Sequence, residues 1–194
     1  MTAQQPYETV RDHGTFELRR YPGHVLAEVV IEDTFERAGS RAFRLLFGYL
    51  GGRNVPGARV AMTAPVVQEP AAVPLAMTAP VLQEPASAVA GEGRASGFRV
   101  AFVLPEGLTL ADAPRPTDPR VSLRSVPPGL VAARRFRGRW TRHRVRTQLQ
   151  RLETAVREEG LTPVGEPRFA RFDPPTTPWF LRHNEVLLSL VEPA

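Results

Sequence analysis

The stretch Phe16-Glu17-Leu18-Arg19-Arg20-Tyr21-Pro22-Gly23 leads into the alternating run His24 to Ile31 and then into a helical segment. Further along, Val121-Ser122-Leu123-Arg124-Ser125-Val126-Pro127-Pro128-Gly129 leads into Leu130 to Phe136 and a second helical segment. In both places a short strand, a Pro/Gly turn and a β-branched strand precede a helix. Two more strand-like runs follow each helix: Arg59 to Val66 and Phe98 to Leu104, then Arg168 to Phe172 and Asn184 to Leu190. A β-β-α-β-β order therefore occurs twice. Two helices cannot supply the crossovers of a parallel sheet with this many strands, so the sheet is expected to be mostly antiparallel. The predicted class is α+β: a pseudo-duplicated antiparallel barrel-like sheet flanked by two helices, forming one domain over residues 1–194.

The first helix is predicted from Asp33 or Thr34 to Leu50, with capping residues at its start and Glu36 at the positive end of its dipole. Ala42, Phe43, Leu46, Phe47 and Leu50 give it an apolar face, and Gly51-Gly52 ends it. The second is predicted from Trp140 to Glu159, with Val145, Leu149, Leu152 and Val156 on one face and Gly160 as its stop. A sharper, local repeat lies between the halves of the chain. Ala61-Met62-Thr63-Ala64-Pro65-Val66-Val67-Gln68-Glu69-Pro70 recurs as Ala76-Met77-Thr78-Ala79-Pro80-Val81-Leu82-Gln83-Glu84-Pro85, matching at nine of ten positions with a spacing of 15. From about 68 to 97 the chain is rich in Pro, Ala and Gly, which predicts a long hairpin excursion with one copy structural and the other spare.

Composition excludes several chemistries. All 25 basic residues are Arg, which removes Schiff-base, pyridoxal-phosphate and Walker-type lysine chemistry. The absence of Cys removes disulfides, zinc fingers and thiolate-held or covalently attached haem. The N-terminus lacks a signal-peptide pattern and no apolar run is long enough to span a bilayer, so a cytoplasmic location is expected.

His13, His24, His143 and His183 form no metal-binding spacing. No nucleophile elbow is present, and Asp112 and Asp118 read as turn residues. From Arg134 to Arg151 there are eight Arg and no acid; the reading preferred for this run is a solvated helix face, because Val145, Leu149, Leu152 and Val156 already assign the other face to the core. Phe43 and Phe47 are one turn apart. They read either as core or, beside Arg44 and Arg53, as the wall of a flat, aromatic, carboxylate-bearing ligand site.

Three segments taken together narrow these alternatives. They are Tyr21 onward into Phe43-x-x-Leu46-x-x-Tyr49-Leu50-Gly51-Gly52-x-Asn54, then Val60-Ala61-Met62-Thr63-Ala64-Pro65-Val66, then Ala170-Arg171-Phe172-Asp173-Pro174-Pro175-x-x-Pro178-Trp179-Phe180-Leu181-Arg182-x-Asn184-Glu185-Val186. In this order and spacing the chain resembles the SOUL haem-binding protein family over about residues 7 to 191. The resemblance implies the fold shared with gyrase-inhibitor-like effector-binding domains and non-covalent binding of haem or another tetrapyrrole. By position it implies a site of Ser40, Phe43, Arg44, Phe47 and Gly48 on the first helix and Thr176 and Thr177 in the loop before the last strand. Arg53, Met62, Trp179 and Arg182 complete the candidate set. Some relatives carry cations at the positions of Ser40, Gly48 and Thr177, so here Arg44, Arg53 or Arg182 would have to substitute. Some also carry a His where this chain has Arg20; no metal site is expected, and His24 is the residue left to consider as an axial ligand.

The expected function is buffering or carriage of a tetrapyrrole, with no enzymatic step, no nucleic-acid partner and no membrane span. The alternative is a small-molecule effector or sensor module on the same fold, with Glu185 meeting a cationic ligand. Strand alternation places Glu185 on the face opposite Val186, Leu188 and Leu190.

Overall fold

The computed structural model describes residues 3–55, 78–85, 97–173 and 177–192. The chain begins with β1 (Ala3–Gln4), β2 (Glu8–Asp12), β3 (Glu17–Tyr21) and β4 (His24–Glu32), then α1 (Phe35–Leu50) and β5 (Asn54–Val55). Next come β6 (Thr78–Pro85), β7 (Gly97–Val103) and β8 (Arg115–Pro116). The second half holds β9 (Ser122–Val126), β10 (Gly129–Arg137), α2 (Arg142–Glu158), β11 (Pro163–Arg171) and β12 (His183–Leu190).

The main sheet runs β2-β3-β10-β12-β11-β6-β7-β4-β9, while β5 and β8 pair separately. All its pairings are antiparallel except that of β1, which adds in parallel to β6. Without β2, the order reads the same from either end once β3 is exchanged for β9, β4 for β10, β6 for β11 and β7 for β12. The duplicated order in the sequence is thus the symmetry of the sheet. The halves also exchange strands, since Arg19 of β3 lies opposite Val131 of β10 and Leu26 of β4 lies opposite Arg124 of β9. The sheet stays open, with β2 and β9 at its two ends, so the barrel-like curvature expected from sequence does not reach closure.

Alternation along the strands builds three apolar clusters. Ala38, Ala42, Leu46 and Leu50 of α1 pack on Val25, Ala27, Val29, Val100 and Phe102. Val145, Leu152 and Val156 of α2 pack on Leu18, Leu130, Ala132, Val186 and Leu188. Leu26, Leu82, Val103, Val131, Ala133, Ala170 and Leu187 alternate to the opposite face and form the third cluster. Each large side chain so buried contributes about 1.5–3 kcal/mol.

Thr34 and Thr141 stand at the N-caps of α1 and α2, but the Thr34 side chain makes no capping bond, whereas Thr141 accepts from the Arg144 amide. Asp33 Oδ1 accepts from the Thr34 amide at 2.7 Å ahead of α1. Thr141 caps α2, and Glu36 of α1 accepts from the Arg142 amide at 3.0 Å, so one helix helps to cap the other. Gly160, at φ +70, adopts the left-handed turn that ends α2.

Within the excursion expected at 68–97, Thr78–Pro85 is a strand at the centre of the sheet. Its register against β7 shifts between Thr78 and Val81, around Pro80, which has no amide to give to a ladder. The strand expected at Arg59–Val66, and with it the first copy of the local repeat, lies outside the described residues.

Candidate functional site

α1 buries Phe35, Ala38, Gly39, Ala42, Leu46, Tyr49 and Leu50 and leaves Ser40, Phe43, Arg44 and Phe47 as an outward stripe at helical spacing. Phe43 and Phe47 stack with centroids 5.4 Å apart and planes 13° from parallel. They remain 39% and 54% exposed, although each is large and apolar. Phe43 also meets the buried Phe102 edge-on at 5.6 Å, which anchors the pair to the sheet. Neither alternative from sequence is complete: the pair touches the core and still faces outward.

The C-terminal end of α1 is held firmly. Tyr49 donates its hydroxyl to Pro114 O at 2.8 Å, and burial pushes that hydroxyl up to about 12. Asn54 donates to Tyr49 O at 2.8 Å. Gly52, at φ +105, turns the chain so that the Arg53 amide bonds Gly48 O at 2.9 Å. The Arg53 side chain then folds back over Gly48, where a Cβ would lie 3.1 Å from its Cδ. A guanidinium thus stands over a helix position that has no side chain.

A similar arrangement occurs at Thr177, where Arg182 Nε donates to the carbonyl oxygen at 2.8 Å. At the other end of the stripe, Arg171 Nη1 lies 3.1 Å from where a Gly39 Cβ would sit, and its guanidinium covers Trp140. Burial and then the charge of Arg182 lower the Arg171 pKa, so these two cations share one region. Trp179 lies on the α2 side, with Arg139 over its ring at 5.0 Å. Met62 and Thr176 fall outside the described residues.

No histidine joins the Phe43–Phe47 pair among the described residues. His24 shares the sheet face of Leu26, opposite the face covered by α1, and its Nδ1 lies 2.9 Å from Pro22 O. Burial, and the charges of Arg168 and Arg124, keep its pKa low. His13 stacks on Phe16 and His183 on Phe172. Among the described residues no group of three or more His, Asp or Glu is placed to hold a metal ion. Asp112 meets Thr109, and Asp118 is held at about 2 by its hydrogen bonds from Arg120, so both serve turns as the sequence suggested.

Glu185 does lie opposite Val186 and Leu188, but that face is buried too. Arg19 grips it in bidentate fashion at 2.7 and 3.0 Å, with both side chains 1% exposed. Tyr21 accepts from Arg19 at 3.2 Å, and His183 Nε2 lies 3.0 Å from Glu185 Oε1. Burial alone would raise the Glu185 pKa; the bonds to His183 and Arg19 and the Arg19 charge outweigh it and hold the carboxyl at about 2. The sequence gives no local sign of this pair, whose partners are 166 residues apart.

Arg139, ahead of α2, and His143, Arg144, Thr147 and Arg151 of α2 line an open groove of about 430 Å³.

Among the described residues, an open, mostly antiparallel sheet with an internal two-fold and two outer helices, one with an aromatic outward face, places the protein in the α+β class. Its fold is similar to that of the EcmrR C-terminal domain, at 11% identity, TM-score 0.57, and coverage of 96% of this chain and 98% of that one. A protein from Listeria innocua described as a hydrolase is similar at 10% identity and TM-score 0.54, covering 98% and 94%. The chain belongs to the SOUL heme-binding protein family, whose profile matches residues 2–189. Among curated proteins no significant match was found.

Proposed function

We propose that this chain binds haem or a related tetrapyrrole non-covalently, as a buffer or carrier, and performs no chemistry on it. The observation that carries the reading is the exposed, stacked Phe43–Phe47 pair beside cationic side chains on a rigid helix. A tetrapyrrole brings a flat apolar macrocycle and edge carboxylates. The first fits the phenyl faces, whose burial yields about 25 cal/mol per Å². The second fits Arg44 and Arg53, since a guanidinium holds carboxylates through a planar fork. Arg53 over Gly48 and Arg182 at Thr177 support cation substitution at two positions where this chain lacks the basic residue of some relatives. Membership of the family supports the same ligand class.

No axial histidine stands at this face among the described residues, so binding there rests on the macrocycle and its carboxylates. Titration of the ligand-free protein, followed in the Soret band, should give comparable affinity for haemin and for metal-free protoporphyrin. Phe43→Ala and Arg44→Glu should each weaken both by about fivefold to tenfold without unfolding the chain. Absence of a saturable change at micromolar ligand, or haemin binding far tighter than protoporphyrin, refutes the reading.

The effector-module reading is less well supported. The carboxylate that would receive a cationic ligand, Glu185, already holds Arg19.

A further inference from the structure

Pro178 to Leu181 form a tight turn, closed by a hydrogen bond from the Leu181 amide to Pro178 O at 3.0 Å. It presents three consecutive apolar side chains to solvent: Trp179, Phe180 and Leu181, which are 46%, 53% and 55% exposed in the order Trp, Leu, Phe. Three consecutive large apolar side chains, half exposed on a turn closed by its own hydrogen bond, mark an interaction surface rather than a part of the core. Arg139 sits over the Trp179 ring and also lines the α2 groove with His143, Arg144 and Arg151. The apolar tip and the basic groove are therefore one continuous surface, and the chain has no acid from Arg134 to Arg151.

We propose that this surface docks on anionic lipid bilayers, with Trp179, Phe180 and Leu181 entering the headgroup–acyl boundary and the α2 arginines contacting lipid phosphates. The turn hydrogen bond lowers the cost of taking this segment out of water. Tryptophan and phenylalanine favour the bilayer interface, and each arginine near an anionic surface adds attraction that salt screens. No helix among the described residues is long and apolar enough to cross a membrane, and a surface-bound mode needs none. A nucleic acid would use the arginines and a stacked ring but would leave Leu181 exposed. Docking by this surface does not use Phe43, Arg44, Phe47 or Arg53, the side chains on which the tetrapyrrole reading rests, and Trp179 alone belongs to both candidate sets.

The test is sedimentation of the full chain with vesicles of phosphatidylcholine alone or with one-third phosphatidylglycerol, together with tryptophan quenching by brominated lipid. The protein should bind the anionic vesicles, release with rising salt, and show quenching that disappears in Trp179→Phe, because Trp140 is buried in the core. The Phe180→Ser/Leu181→Ser variant should bind about tenfold more weakly. Reversing two charges in Arg139→Glu/Arg144→Glu should cost about twentyfold or more. Circular dichroism melts of each variant confirm that it is folded. Equal binding to neutral vesicles, unaltered binding in both folded double variants, or binding to duplex or single-stranded DNA without any to vesicles overturns the proposal.

Discussion

Replacing Glu185 by Gln tests the buried Arg19–Glu185 pair most directly. The substitution keeps the shape and removes the charge that faces Arg19 across 2.7 and 3.0 Å. Arg19 then keeps Glu17 at 2.8 Å and the Tyr21 hydroxyl at 3.2 Å, but its charge stays 1% exposed with its main counter-ion gone. Breaking one side of such a pair costs about 3–5 kcal/mol. For a chain of this size that is a fall in Tm of roughly 6–20 °C. Removing both charges is different: Arg19→Met with Glu185→Leu should recover most of the loss, because neither charge is then left to desolvate. The acid limb gives a second readout. Glu185 titrates at about 2 folded against 4.5 as its ordinary value, so its contribution is complete above 4.5 and fades as pH falls towards 2. The shift corresponds to about 3 kcal/mol, of the same size as the mutational cost. Urea unfolding at neutral pH and at pH values between these limits measures both effects. A single variant as stable as the original chain, or a double variant no better than the single one, refutes the argument.

Two other perturbations separate stability from binding. Gly48→Ala should stabilise α1 by about 1 kcal/mol through helix propensity. The new methyl would press on Arg53 Cδ from 3.1 Å, so thermal melts should rise while protoporphyrin affinity falls; a rise in both contradicts the role given to Arg53. Deleting residues 71–85 removes β6 but leaves the first copy of the repeat to take its place, with Val67 where Leu82 stood and Gln68 where Gln83 donates to Phe35 O at 3.0 Å. The lost methylene costs about 1 kcal/mol, and a connection about threefold shorter returns a similar amount of loop entropy. Folded protein with a melt within a few degrees is expected, and loss of folded protein shows that the copies are not interchangeable.

Much of the architecture is legible in the chain because its signals are local. The Pro/Gly turns, Asp33 and Thr34 before α1, the apolar stripe of α2 and the glycines after each helix place α1 and α2 within two residues of their observed ends. The duplicated order is legible for the same reason. Strand exchange between the halves is not: nothing near Arg19 says that it will face Val131 rather than the strand after its own turn. The site divides in the same way. Periodicity puts Phe43 and Phe47 on one helix face beside Arg44, and only the family resemblance marks that face as a site, whereas Arg53 over Gly48 depends on a turn that folds the chain back. The identity of β6 was hidden by repetition itself, since two nearly identical segments compete on sequence alone. Arg19 is not legible from sequence, because an arginine on a short strand looks like an ordinary surface residue until its partner arrives from the far end of the chain.

The two-fold that builds the sheet does not extend to what the helices present. Counting each helix from its first residue, α2 carries Gln150 and Thr154 where α1 carries Phe43 and Phe47. A duplicated scaffold could have offered two equivalent binding faces. This one offers a single aromatic face and, on its counterpart, a basic groove. Tetrapyrrole should therefore saturate at one molecule per chain, without the cooperativity that twin sites would permit, and, apart from Glu36 at the start of α2, each outer helix can change its own surface without altering the other's.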